Sequence, residues 1–181
     1  MPWYAYVIII FGIVVWFAPF VSAHQKTGAA STVDRRSRWG VLLELVAYSL
    51  LWQGHFWMRV LPLWRTCISV VLFAAAAVLS WTSSRALVGQ LRVLAALGED
   101  HHLVRSGPYG LVRNPIYTSM LLVLCATAVI VASWQLFLIS LLVFLVGTEI
   151  RVSTEEKLLA ERFGEEFQEY KREVPAYIPF L

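Results

Sequence analysis

The sequence predicts an all-α integral membrane protein with about five transmembrane helices, a cytoplasmic amphipathic helix and a C-terminal cytoplasmic helix. Hydrophobic residues fill 59% of the 181 positions and charged residues only 15%, with a mean hydropathy of +0.65, far from the balance of a soluble domain. The apolar residues gather in runs long enough to cross most or all of a hydrocarbon layer. Aromatic residues mark the run ends: Trp3, Trp39, Trp57, Trp81 and Trp134 stand where an amphipathic ring sits among headgroups.

The first run, Trp3 to Phe20, has no basic stretch ahead of it and reads as a retained span, although Val21-Ser22-Ala23 mimics a small-residue cleavage site. The second, Val41 to Met58, carries Glu44 about one turn in. A carboxylate in lipid is costly unless paired, and Arg35, Arg36 and Arg38 are its expected partners. His55 reads as an interfacial residue beside Trp52 and Trp57; neither it nor Glu44 is expected in catalysis. The third run is Leu63 to Ser80. Beyond it, "SSRALVGQLRVLAA", Ser83 to Ala96, sets Arg85, Gln90 and Arg92 against apolar residues at helical spacing. This predicts a serine-capped helix lying along the membrane surface and roofing a site.

The fourth and fifth runs, Ile116 to Val131 and Gln135 to Ile150, each rise only ~24 Å as helices, short for a full crossing without local thinning. The short "ASW" link between them forces a tight antiparallel hairpin. Cys67 and Cys125 both fall in apolar runs, where they read as packing residues, and no metal site is expected. Residues 1–82 are expected to supply the N-terminal spans, and residues 83–181 a cofactor-binding core.

Basic residues set the orientation. Lys26, Arg35, Arg36 and Arg38 lie in the first connection, and Arg85, Arg92, Arg105 and Arg113 in the third; the second holds Arg59 and Arg65, the fourth none. The positive-inside rule then places the N-terminus outside and the first and third connections and the tail in the cytoplasm, at the plasma membrane in a prokaryote. The formal charge of +3 belongs mainly to these loops and gives no support to nucleic-acid binding.

The most polar connection, "HHLVRSGPYGLVRNPIYTSM", runs from His101 to Met120. Gly107-Pro108 and Tyr109-Gly110 interrupt regular structure, and Pro115 extends Asn114 before a helix starts. The result is a shaped turn at the cytoplasmic mouth of the fourth span, with freed backbone N–H groups suited to an anion. His101, Tyr109, Arg113, Asn114 and Tyr117 either line a cavity, offering stacking surface and hydrogen bonds to a purine edge, or form an interfacial belt; the residues alone fit both. In the tail, Arg151 and Glu155 are spaced to pair on one helix face, leaving Glu156 to point at a ligand. Leu158, Leu159, Phe163, Phe167 and Tyr170 add an apolar stripe, Gly164 marks a bend, and Pro175 and Pro179 end the element. A solvated acidic helix accounts for Glu161, Glu165, Glu166, Glu169 and Glu173; Glu155 and Glu156, beside the bilayer, suit ribose hydroxyls or an ammonium equally well.

From Leu94 to Phe180 the chain resembles the integral-membrane isoprenylcysteine carboxyl methyltransferases and their prokaryotic relatives, linked to the phospholipid methyltransferases. The resemblance rests on "HHLVRSGPYGLVRNPIYTS" and on "RVSTEEKLL" followed by Phe163-Gly164, Tyr170 and Val174-Pro175. It implies that these segments form an S-adenosylmethionine site. His101, Gly107, Pro108, Tyr109, Arg113, Pro115 and Tyr117 fall on matching positions of a cofactor pocket, with Asn114 among them where the family usually has histidine. Glu155 and Glu156 match a glutamate pair that fixes cofactor and substrate, and Arg151 the residue that orients them. Ser119 replaces a glycine, Phe167 a frequent tyrosine and Ala176 a frequent arginine, so the substrate of the best-known members does not transfer directly.

The implied chemistry is in-line attack on a sulfonium methyl by a nucleophile at the end of a membrane-embedded, lipophilic or prenylated substrate, with alignment as the protein's main task. A carboxylate acceptor needs no base and would be oriented by Arg172 or Arg113; an amine or thiol would call on Glu156 or His101. The rival readings are an NADPH-dependent membrane reductase of the sterol reductase type and a non-enzymatic membrane scaffold. Oligomeric state is open, because the small residues Ala74 to Ala77 could pack within one chain or between chains.

Overall fold

The computed structural model describes residues 1–24, 32–33, 35–58, 60–87, 96–97 and 103–178. Its architecture is helical: α1 (Trp3–His24), α2 (Ser37–Leu50), α3 (Leu63–Ala86), α4 (Pro115–Val131), α5 (Trp134–Phe163) and α6 (Glu165–Glu173). A two-residue antiparallel pair, β1 (Thr32–Val33) with β2 (Ala96–Leu97), ties the first and third connections together. α1, α3 and α5 are long and apolar enough to cross a membrane, and α4 is a shorter apolar helix. Large apolar side chains such as Phe11, Val71 and Leu142 are exposed on these helices, as expected where lipid rather than water is the neighbour.

Phe73, Leu124, Ile130 and Phe144 form the core between the helices. Hydroxyl groups donate to backbone across the contacts: Ser80 Oγ to the Trp16 carbonyl at 2.8 Å, Ser69 Oγ to that of Ala126 at 2.9 Å, and the Tyr48 hydroxyl to that of Met120 at 2.7 Å. Such bonds keep polar groups satisfied where no water competes. α2 and α5 meet most closely at Gly40 and Gly147. A Cβ on Gly40 would stand 2.5 Å from the Gly147 carbonyl and 2.4 Å from Arg151 Cγ, so only glycine permits this approach.

Three expected boundaries are corrected. The second span does not continue as α-helix to Met58: α2 stops at Leu50, tightens into a 3₁₀ turn over Leu51–Gln53 and extends at Gly54. Trp52 then packs edge-on against Phe56 with centroids 5.1 Å apart, and Gln53 Nε2 caps the Ser49 carbonyl. The run Gln135 to Ile150 is not a separate short helix. It is the first part of the 30-residue α5, which Ser133 caps through the Leu136 N–H and which ends only where Gly164 adopts φ +53°. Ser83 to Ala86 is not the start of a surface helix either: it is the last turn of α3, with Ser83 and Ser84 buried. Residues 88–95 of that expected helix lie outside the described residues, and Ala96 belongs to the strand pair.

Candidate functional site

The site is built around the start of α4. Gly107 turns the chain with φ +61°, the Gly107–Gly110 segment forms one 3₁₀ turn rather than an irregular loop, and Pro115 occupies the first turn of α4. Its fixed φ and missing N–H suit that position. The N–H groups just ahead of the helix do not stand free. Arg113 N donates to the Pro175 carbonyl at 2.8 Å and Asn114 N to the Ala176 carbonyl at 3.1 Å, with Asn114 Nδ2 on the same oxygen at 3.2 Å. The Thr118 hydroxyl adds a bond to the Tyr177 carbonyl at 3.2 Å, and the Tyr177 hydroxyl donates to Glu149 Oε2 at 3.1 Å. The segment after α6 is thus strapped across the mouth of α4 and onto α5.

Gly164 makes this possible. Its left-handed backbone turns α6 back towards α4, where Phe167, Tyr170 and Val174 form a small core with Leu103, Leu159 and Phe163. The Tyr170 hydroxyl donates to the Tyr109 carbonyl at 2.7 Å, and burial pushes its phenol up to about 12. Tyr109 is itself buried, which raises its phenol well above the usual range, with Glu155 and Tyr170 adding to the effect. Arg105 stacks on the Tyr170 ring at 5.3 Å and binds the Glu166 carbonyl at 3.0 Å.

Two adjacent carboxylates occupy different environments. Glu156 Oε1 accepts from Arg113 Nε at 3.1 Å and Nη2 at 3.0 Å, while Lys171 Nζ holds Oε2 at 2.6 Å. Arg113 Nη1 also binds the carbonyls of Lys171 and Val174, so this guanidinium welds α4, α5 and the strap. Glu155, half-buried, accepts from the Tyr117 hydroxyl at 2.5 Å. Beneath them Arg151 does not form the expected local pair with Glu155: its Nη1 reaches Glu44 Oε2 on α2 at 2.6 Å, and its Cζ lies 4.8 Å from the Tyr117 ring centroid. Glu44 is therefore paired with Arg151 and Thr148 rather than with the arginines of the first connection. The physical reason is the glycine contact, which brings α2 and α5 within reach.

An open cleft of about 460 Å³ lies at the strap, lined by Arg113, Lys171, Arg172, Glu173, Val174, Pro175 and Ala176. Of the residues expected at the site, Arg113, Asn114, Pro115, Tyr117, Arg151, Glu155 and Glu156 come together where the start of α4 meets the second half of α5. Gly107, Pro108 and Tyr109 form the turn beside them, and Arg172 stands exposed on the cleft wall. His101 lies outside the described residues. Sequence reasoning missed Lys171, Tyr170 as an anchor of the turn, and the role of Glu44. The one signal for the first two was Gly164, whose bend returns α6 to the mouth.

Residues 64–166, more than half of the chain, match the model of the phospholipid methyltransferase family. The chain is 29% identical over 115 residues to the protein-S-isoprenylcysteine O-methyltransferase of Schizosaccharomyces pombe, over 64% of this chain and 47% of that one. It is 31% identical over 174 residues to the cobalt-zinc-cadmium resistance protein CzcN of Cupriavidus metallidurans, over 89% and 74%. A third relative, the protein-S-isoprenylcysteine O-methyltransferase of Xenopus laevis, is 34% identical over 94 residues, 46% of this chain and 29% of that one. The aligned part thus spans less than half the length of these two methyltransferases. The family match includes Arg113, Tyr117, Arg151, Glu155 and Glu156 and leaves out Glu44 and Lys171. A match of that extent, running unbroken through both glutamates and the turn before α4, means that the chain belongs to the phospholipid methyltransferase family.

Proposed function

We propose that the chain is a membrane methyltransferase that uses S-adenosylmethionine to methylate the polar end of a lipophilic substrate, an isoprenylcysteine-like carboxylate being the first acceptor to test. The observation that carries this reading is the pair Glu155–Glu156 at the mouth of α4, one glutamate clamped by Arg113 and Lys171, the other hydrogen-bonded by the Tyr117 hydroxyl. The donor set fits the cofactor: a half-buried carboxylate can accept ribose hydroxyls or the ammonium, and aromatic faces stand beside it.

When bound, S-adenosylmethionine supplies an activated methyl group. The chain's own residues would then do three things. Glu155, Tyr117 and the turn with Gly107, Pro108 and Tyr109 would hold the cofactor, with His101, Asn114, Pro115 and Arg151 in the same pocket. Glu156, fixed by Arg113, would set the distance between cofactor and acceptor. Arg172, on the cleft wall, would orient an acceptor carboxylate, which is ionised near neutral pH and needs no base. In this reading five segments cross the bilayer, α2 and α4 completing the set. The N-terminus lies outside, and the mouth, α6 and the strap lie at the cytoplasmic face. Residues 1–82 supply spans, and residues 83–181 carry the chemistry.

The test is equilibrium titration of the detergent-purified protein with S-adenosylmethionine. Saturable binding is expected, weakened about tenfold or more by Glu156→Gln, the loss associated with a charged hydrogen-bond network. No binding by the folded wild type, or binding of NADPH in its place, would overturn the assignment.

A further inference from the structure

The family match begins after α2, yet α2 sends a carboxylate into the site. Arg151 and Glu155 lie one helical turn apart on α5, the spacing at which they would pair by default. Glu44 competes for the same guanidinium from across the helix contact. It accepts from Arg151 Nη1 at 2.6 Å and from the Thr148 hydroxyl at 3.3 Å, with side-chain exposures of only 4% for Glu44 and 10% for Arg151. Gly40 and Gly147 hold the two backbones close enough to fix this geometry. Pulled towards α2, the guanidinium lies over the Tyr117 ring, and the Tyr117 hydroxyl bonds Glu155.

We propose that Glu44 is a positioning residue for the candidate site: by holding Arg151 Nη1 and drawing the guanidinium over the Tyr117 ring, it limits the hold of Arg151 on Glu155 and keeps that carboxylate available to a cationic or hydroxyl-bearing ligand. The link to a ligand rests on the function proposed above; the competition for Arg151 does not. Removing the charge of Glu44 takes away the carboxylate that holds Nη1 and lets the guanidinium, whose charge already acts on Glu155, shift towards it, which weakens the draw of that carboxylate on a cationic ligand. A residue of the N-terminal half thereby bears on how open a carboxylate of the C-terminal half is.

Two measurements on the purified full chain separate these statements. The first is labelling of Glu155 by dicyclohexylcarbodiimide, followed by peptide mass spectrometry. Carbodiimides modify protonated carboxyls, and an arginine partner keeps a carboxylate ionised. Labelling of Glu155 is expected to slow about tenfold in Glu44→Gln, one pKa unit's worth. Glu44→Asp keeps the charge but draws it back by one methylene, so it is expected to fall between. It also serves if the Gln variant does not purify as a folded species. Equal labelling in wild type and both variants overturns the proposal. The second measurement is titration with S-adenosylmethionine. Weaker binding in the order wild type, Asp, Gln, with Glu44→Gln/Glu155→Gln no weaker than Glu155→Gln alone, supports action through Glu155, whereas additive losses overturn it. A wild type that labels as expected but binds no S-adenosylmethionine overturns the proposed function and leaves the positioning of Glu155 standing.

Discussion

α5 carries two guanidinium–carboxylate pairs one and a half turns apart, and they are built in opposite ways. Glu44–Arg151 is sealed between helices from different parts of the chain, and nothing but glycine lets those helices approach. Glu156–Arg113 sits at the rim, with side-chain exposures of 16% and 11%, shares its carboxylate with the far more exposed Lys171, and is assembled from a turn, a bend and a strap. The difference teaches that the sealed pair is a matter of helix packing and the rim pair a matter of loop closure. Breaking the sealed pair should cost stability first and ligand binding through it, whereas breaking the rim pair should cost chiefly ligand binding.

The largest effect is expected for Arg151→Met, which leaves Glu44 buried without its cation and should destabilise by about 3–5 kcal/mol. Thermal unfolding in detergent measures it, and Glu44→Met/Arg151→Met should recover most of the loss, because well-packed apolar side chains replace a sealed pair at little cost. Gly40→Ala attacks the same pair through its packing. The added Cβ collides with Arg151 and the Gly147 carbonyl, and a loss of about 1–3 kcal/mol is expected; unchanged melting would mean that the helix contact is softer than the distances imply.

The rim responds to pH through Tyr170. Burial pushes its phenol from 10.0 up to about 12, so the folded state keeps a proton that the unfolded chain gives up above pH 10. The packing of α6 is therefore intact below pH 10 and should weaken as pH rises from 10 to 12. Absorbance of phenolate and the helical signal, followed together, should show this, and Tyr170→Phe should reduce it, leaving the part contributed by Tyr109 and Tyr177, whose buried phenols are raised as well. The smallest effect is expected for Lys171→Ala. Its side chain is 47% exposed, and Arg113 still holds Glu156, so a change of under about 1 kcal/mol is expected, shrinking further in high salt.

Much of the rim was legible in the sequence because its signals are local. Pro115 opens α4, Gly164 marks the bend, and the stripe through Leu159, Phe163, Phe167 and Tyr170 does form a buried cluster. The sealed pair was illegible for the opposite reason. Glu44 and Arg151 are 107 positions apart, whereas Arg151 and Glu155 advertise a pair at helical spacing, and tertiary contact overrides that local preference. The end of α2 was missed because Leu51, Trp52, Phe56, Trp57 and Met58 carry the apolar run across Gln53, Gly54 and His55, where the backbone leaves the α-helix. Periodicity does not register a change from one helix type to another.

A single unbroken rod of 30 residues runs from Trp134, through the apolar stretch, to Phe163. At 1.5 Å per residue it is ~45 Å long, against a hydrocarbon thickness of ~30 Å. Set upright with Trp134 at one edge of the hydrocarbon, roughly a third of it would project beyond the lipid tails, and both glutamates ride on that last third. A rod this stiff answers a thinner or thicker bilayer by leaning, and a lean sweeps its far end sideways over α4. Where α5 spans a bilayer as proposed, acyl-chain length would thus set the tilt of the element that carries both glutamates: the membrane would be a calliper as well as a solvent.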